Sequence, residues 1–97
     1  MKSNQEVVKD FYKGKASNNL NMRSTGDKLF SWNTVIAQRF YHRLLLNTTW
    51  YSQSTTRQLR LLEPLISRKD EVKIYDNIPI DTADIVAHFD RINQPVG

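Results

Sequence analysis

The chain has 97 residues and 11.4 kDa, the scale of one domain spanning 1–97, and its 39% hydrophobic and 25% charged residues fit one modest core rather than a disordered tail. It has no cysteine, which excludes a disulfide scaffold, a cysteine-ligated zinc site and a thiol nucleophile. No apolar run nears the roughly 20 residues of a membrane span and no signal-like run follows Met1-Lys2-Ser3, so the expectation is a soluble, cytoplasmic protein with no membrane partner. The net charge of +4 is unevenly laid out: residues 1–69 hold twelve bases and four acids, and residues 70–97 hold two bases and six acids. A basic body with an acidic C-terminal segment favours a polyanionic partner, or else folds the two charge blocks onto each other.

In chain order, Ser3 and Glu6 fit a capping box, and Val7, Val8, Phe11 and Tyr12 share a helical stripe. Gly14 fits the position just past the end, so a helix is predicted over 4–13. Residues 15–27 read as a loop, with Leu20 and Met22 anchoring it to the core and Gly26-Asp27 turning into a strand. Residues 28–50 read as a three-stranded antiparallel meander. In its middle strand Ile36, Gln38 and Phe40 share one face, opposite Val35, Ala37 and Arg39. Tyr41-His42 lacks the glycine of a tight hairpin, which predicts a longer or bulged turn. A second helix starts near Ser54 or Thr55, with Thr55 and Gln58 as its capping box, and Pro64 kinks or ends it. Residues 71–75 fit a further strand, and Pro79 marks an edge or a loop. Asp81 or Thr82 caps a last helix with Ile85, Phe89 and Ile92 on its buried stripe, ended by Asn93 and Pro95. The fold class is therefore α+β, a three-stranded antiparallel meander packed with helices (α-β-β-β-α-(β)-α), with one sheet face covered.

The most unusual stretch is residues 47–58, Asn-Thr-Thr-Trp-Tyr-Ser-Gln-Ser-Thr-Thr-Arg-Gln, at a strand-to-helix junction. Hydroxyls, free N–H groups at the helix start, Arg57 and Arg60 suit a phosphate or carboxylate, and Trp50 or Tyr51 suits a stacked base. The ordinary reading is that the hydroxyls cap the helix and satisfy loop backbone while Trp50 packs in the core. Arg39 and Arg43 flank Phe40-Tyr41-His42, a basic and aromatic turn of the kind found at protein and nucleic-acid contacts. Lys9 and Lys13 lie four apart on one helix face, either a phosphate track or a solvated face. Asp84 and His88 share a helix face, which with Asp81 hints at a metal but fits an ion pair better. Nucleophile-elbow and phosphate-loop motifs are absent, with three glycines to build them. No catalytic residue, cofactor or metal is assigned, and the chain reads as a non-enzyme.

The stretch from Gly26 to Ala37 (GDKLFSWNTVIA), followed by Leu46–Ser52 and Thr55–Gln58, resembles a family of small uncharacterised phage and mobile-element proteins. Their pattern is G-D-x-L-[FY]-S-[YW]-x-T-x-I-A and then N-x-T-x-Y-S-x-x-T-[TS]. The likeness covers roughly residues 20–60, and this chain departs from it at Tyr41-His42, where the family carries a glycine-containing turn. The resemblance implies a phage-type accessory protein that works by stoichiometric binding, as inhibitors of host defence such as CRISPR systems do. The element order is also similar to that of double-stranded-RNA-binding domains, although the lysine-rich motif of those domains is missing. The leading expectation is thus an inhibitor that occupies a host protein or nucleoprotein complex through Arg39, Tyr41, Arg43, Arg57 and Arg60. The alternative is direct DNA or RNA binding through Lys9, Lys13, Arg39, Arg43, Trp50, Arg57 and Arg60.

Overall fold

The computed structural model describes residues 2–88. Helix α1 (Asn4–Tyr12) is followed by β1 (Ala16–Asn18), β2 (Met22–Thr25), β3 (Lys28–Ser31), β4 (Thr34–Phe40) and β5 (Arg43–Asn47). Then come α2 (Gln53–Arg60), a 3-10 turn (Glu63–Leu65) and β6 (Glu71–Tyr75). Residues 85–88 are helical again. The class is α+β as expected, but the sheet has six strands in the order β1 to β6, antiparallel except for the parallel pair β5–β6.

Ser3 and Glu6 form the expected capping box on α1, whose inner face carries buried Val7, Val8 and Phe11. Gly14 follows the C-cap at φ +80°, a backbone region that favours glycine. Residues 15–27, expected to be a loop, instead form the β1–β2 hairpin. Of its two proposed anchors only Met22 is buried, because Leu20 falls in the turn and points outward.

The meander is present with a change of faces. Leu29 pairs with Ala37 while Phe30 pairs with Val35, so Ile36 is the extra residue of a β-bulge. Ile36 and Ala37 therefore both enter the core under the helices, whereas Val35 joins Phe30 on the opposite side, and strict alternation fails. The Tyr41-His42 turn is tight, since Phe40 pairs with Arg43, and Tyr41 supplies the positive φ (+56°) that glycine usually supplies. Helix α2 begins earlier than expected. Ser52, not Thr55, is its N-cap and accepts from the Thr55 N–H at 3.2 Å.

One core lies between the sheet and the two helices, built on Phe11, Leu29, Ile36, Leu44 and Leu62. The expectation of a single covered face is corrected by a second cluster, in which Ile78 and Ile85 pack on Phe30, Val35 and Leu45. Segment 76–88 is fastened to β4 and the β5–α2 loop by backbone and side-chain bonds. Val35 N–H donates to the Thr82 carbonyl, Asp81 N–H to Thr34 Oγ1, and Ile78 N–H to Thr49 Oγ1. Buried Gln38 clips it further: its Nε2 donates to Asp84 at 3.0 Å and its Oε1 accepts from the Ile85 N–H at 2.8 Å. Asp84, rather than Asp81 or Thr82, accepts from the Ala87 N–H and starts the helical run. The expected roles of Phe89, Ile92, Asn93 and Pro95 fall outside the described residues.

Candidate functional site

The topology gives the sheet two distinct ends. The β1–β2 and β3–β4 turns, the β5–α2 loop and the exit from β6 share one end. The α1–β1 connection, the β2–β3 and β4–β5 turns and the approach to β6 share the other. A five-residue strand at ~3.4 Å per residue separates them.

At the first end, Trp32 opens a two-residue turn at φ +56°. Its N–H donates to the Asn21 carbonyl at 2.9 Å, which ties the turn to the β1–β2 turn. There Asn19 Oδ1 accepts from the Asn21 and Met22 N–H groups, folding a local turn that leaves Leu20 outside. Leu20 and Trp32 line one shallow groove, while Trp32 and Ile80 line a second with Thr34, Tyr51 and Ser52. Trp32 therefore links Leu20 to Ile80 in one apolar ridge, with Trp50 just before Tyr51. Leu20 is 74% exposed, Trp32 65%, Trp50 70% and Ile80 67%, which leaves roughly 300 Å² on the two tryptophans alone. The rim is close to electrically balanced. Arg23 lies over the Phe30 ring at 4.5 Å, Lys2 pairs with Asp10 at 2.6 Å, and Asp81 sits beside Ile80.

Asn47, Thr48, Thr49, Tyr51, Ser52 and Thr55 of the hydroxyl-rich stretch are spent internally. Asn47 Nδ2 donates to the Val35 carbonyl and to Tyr51 Oη, Tyr51 Oη donates to the Ile78 carbonyl, and Thr48 Oγ1 donates to the Tyr75 carbonyl. These bonds build the loop rather than offer donors to an anion. With α2 starting at Gln53, Arg57 and Arg60 lie in its last turn, where cations complement the helix dipole. Trp50, expected in the core under the ordinary reading, is on the surface.

At the second end Tyr41 is 82% exposed and sits edge-to-face against Phe40, centroids 4.6 Å apart. His42 and Arg43 both meet Glu71, at 2.9 and 3.3 Å. Arg39 turns inward: its guanidinium donates to the Phe11 and Tyr12 carbonyls at the end of α1 and lies over the Phe11 ring. Tyr12 Oη donates to Asp70 at 2.7 Å, and Asp70 accepts from the Ser67 N–H at 2.8 Å. The Ser67 N–H and then the tyrosine hydroxyl hold the Asp70 carboxyl below its ordinary range, and the Asp70 carboxylate raises the Tyr12 phenol.

The residues nominated from sequence thus do not gather at one place. Arg39, Tyr41 and Arg43 occupy the second end with Lys13. Arg57 and Arg60 ride exposed on α2, Trp50 stands at the first end, and Lys9 is exposed on α1. Neither Arg57 nor Arg60 forms a salt bridge among the described residues. Leu20, Trp32 and Ile80 went unnominated. The available signal was Trp32-Asn33 between two strand-like runs, which places an aromatic in a turn. Asp84, considered beside His88, pairs with Lys28 at 3.2 Å. Burial works against its ionisation, but bonds from the Ala87 N–H, Gln38 and Lys28 outweigh that and lower its pKa. No cluster of three metal-ligating side chains occurs among the described residues, and no described helix is long and apolar enough to cross a membrane. No protein-family model, curated protein or solved structure matches the chain.

Proposed function

We propose that the protein is a non-enzymatic accessory binding protein that acts by covering part of a larger protein complex, with the Leu20–Trp32–Ile80 ridge as its contact. The observation that carries this reading is Trp32, an indole on a turn backbone that disfavours any side chain, exposed between two further apolar residues. Aromatic anchors flanked by aliphatic side chains with a polar rim are the usual anatomy of a protein contact. The balanced rim charge favours a protein surface over a phosphate backbone at this end. The likeness of residues 20–60 to phage and mobile-element proteins extends the proposal to its target. The protein would be a stoichiometric inhibitor of a host nucleic-acid-processing or defence complex, in the manner of CRISPR inhibitors.

The test is affinity capture from host lysate by the tagged protein, with and without nuclease, at low and high salt. The reading expects one protein partner to survive nuclease and salt, and to be lost with a Trp32→Asn/Ile80→Ser variant of unchanged circular dichroism. A partner held equally by that variant, or one released by nuclease, contradicts it.

A further inference from the structure

The second end of the sheet carries a different chemistry. Its parts are joined through Tyr12. Arg39 binds the Tyr12 carbonyl, Tyr12 Oη binds Asp70, and Asp70 closes the turn that presents Arg68 and Lys69. Lys13 and Lys15 leave the same end of α1. Of the acids here, Asp70 is held by Tyr12 and Ser67 and Glu71 by His42 and Arg43, while Asp27 in the β2–β3 turn is exposed and forms no salt bridge among the described residues. Lys13, Lys15, Arg68 and Lys69 form no salt bridge among the described residues. Lys13, Lys15, Arg39, Arg43, Arg68 and Lys69 outnumber Asp27, Asp70 and Glu71 at this end, which leaves a positive field. Beside it the Tyr41 ring stands out from the β4–β5 turn, steadied on one edge by Phe40.

We infer that this end binds single-stranded nucleic acid, with Lys13, Lys15, Arg68 and Lys69 following the phosphates and Tyr41 stacking on an unpaired base. An acidic protein surface would use the same cations but has no need of a projecting aromatic face. A duplex offers no unstacked base to Tyr41. Cations beside an open ring are the arrangement by which single strands are held without sequence readout. The site is separate from the apolar ridge, so one molecule could grip a protein at one end and a strand at the other.

The test is fluorescence anisotropy of a labelled oligothymidine and of a labelled DNA hairpin duplex across a salt series. Oligothymidine binding should weaken with salt, with a slope of about −0.7 per phosphate neutralised. A Lys13→Gln/Arg68→Gln/Lys69→Gln variant, which leaves the structural Arg39 intact, should lower that slope by about two. Tyr41→Ser should weaken oligothymidine binding roughly tenfold, leaving its slope and the duplex affinity unchanged. Trp32→Asn should change neither affinity. Absence of binding at low salt, an unaltered slope in the charge variant, or equal loss of duplex binding on Tyr41→Ser overturns the inference. Displacement by polyglutamate as effective as by unlabelled oligothymidine also overturns it, and assigns the end to an acidic protein.

Discussion

Tyr41 and Trp32 both hold φ +56°, a conformation that costs a residue with a Cβ about 1–2 kcal/mol and glycine nothing sterically. Each is the first residue of a two-residue hairpin turn, and each side chain is mostly outside, so little burial offsets the strain. Tyr41→Gly is therefore expected to raise stability by up to about 1 kcal/mol in urea denaturation while removing the stacking ring. A loss of stability of that size would mean that the Phe40 contact, not function, keeps the tyrosine in place. Asp84 sets a pH expectation. Its folded-state pKa lies below the ordinary 3.8, so the stability it contributes is complete above about pH 4 and is lost as pH falls through the folded value. Asp70 acts in the same direction. Tyr12 has the opposite sign, since its raised pKa makes its contribution complete below pH 10 and lost as pH rises further. Asp84→Asn should shallow the acid limb of a stability-against-pH curve, and an unchanged limb would contradict this assignment.

Among the elements, α1 was legible because its whole signal is local: Ser3 and Glu6 reciprocate, Val7, Val8 and Phe11 align, and Gly14 stops the turn. The β1–β2 hairpin was not, because its residues are mostly polar turn formers and of Leu20 and Met22 only Met22 is buried. The bulge at Ile36 was equally hidden, since it exists only as a mismatch between β3 and β4. At α2 the expected start at Ser54 or Thr55 falls inside the helix: Ser52 is the cap, and Thr55 is buried with its hydroxyl 3.2 Å from Ser52 and 3.4 Å from Ser31. Ser52→Ala should thus cost about 1 kcal/mol by thermal denaturation. A larger cost for a Gln53→Ala control than for Ser52→Ala would place the cap elsewhere. Arg39→Met removes two bonds to the carbonyls at the end of α1 and should destabilise by about 1–2 kcal/mol, acting as a structural loss rather than a binding one.

For the whole molecule, segment 76–88 decides whether the sheet is covered on one face or two. Ile78 and Ile85 are fully buried, and among the described residues the Gln38 side chain bonds to Asp84 and Ile85. Nothing in the spacing of Pro79, Asp81 and Asp84 tells which face the segment will cross, so the sequence reading placed all helices on one side. Ile85→Ala should destabilise the fold by about 2–4 kcal/mol, as for other large-to-small core changes. A cost under 1 kcal/mol would mean that the second cluster is loosely held. Of the large apolar side chains left outside, Leu20, Trp32, Phe40, Tyr41, Trp50 and Ile80 stand at the strand ends and Ile74 lies on β6, and the two ends differ in charge. That separation lets one small chain carry a hydrophobic contact and a cationic one without mixing them.

Amide hydrogen exchange of the captured complex against the free protein reads the location of the contact directly. The account predicts slowed exchange in the turns around residues 19–22 and 31–34 and in segment 78–82, with the 66–70 turn unchanged once nucleic acid is removed. Protection confined to α2 and the 66–70 turn, with the Trp32 turn exchanging as in the free protein, would contradict it.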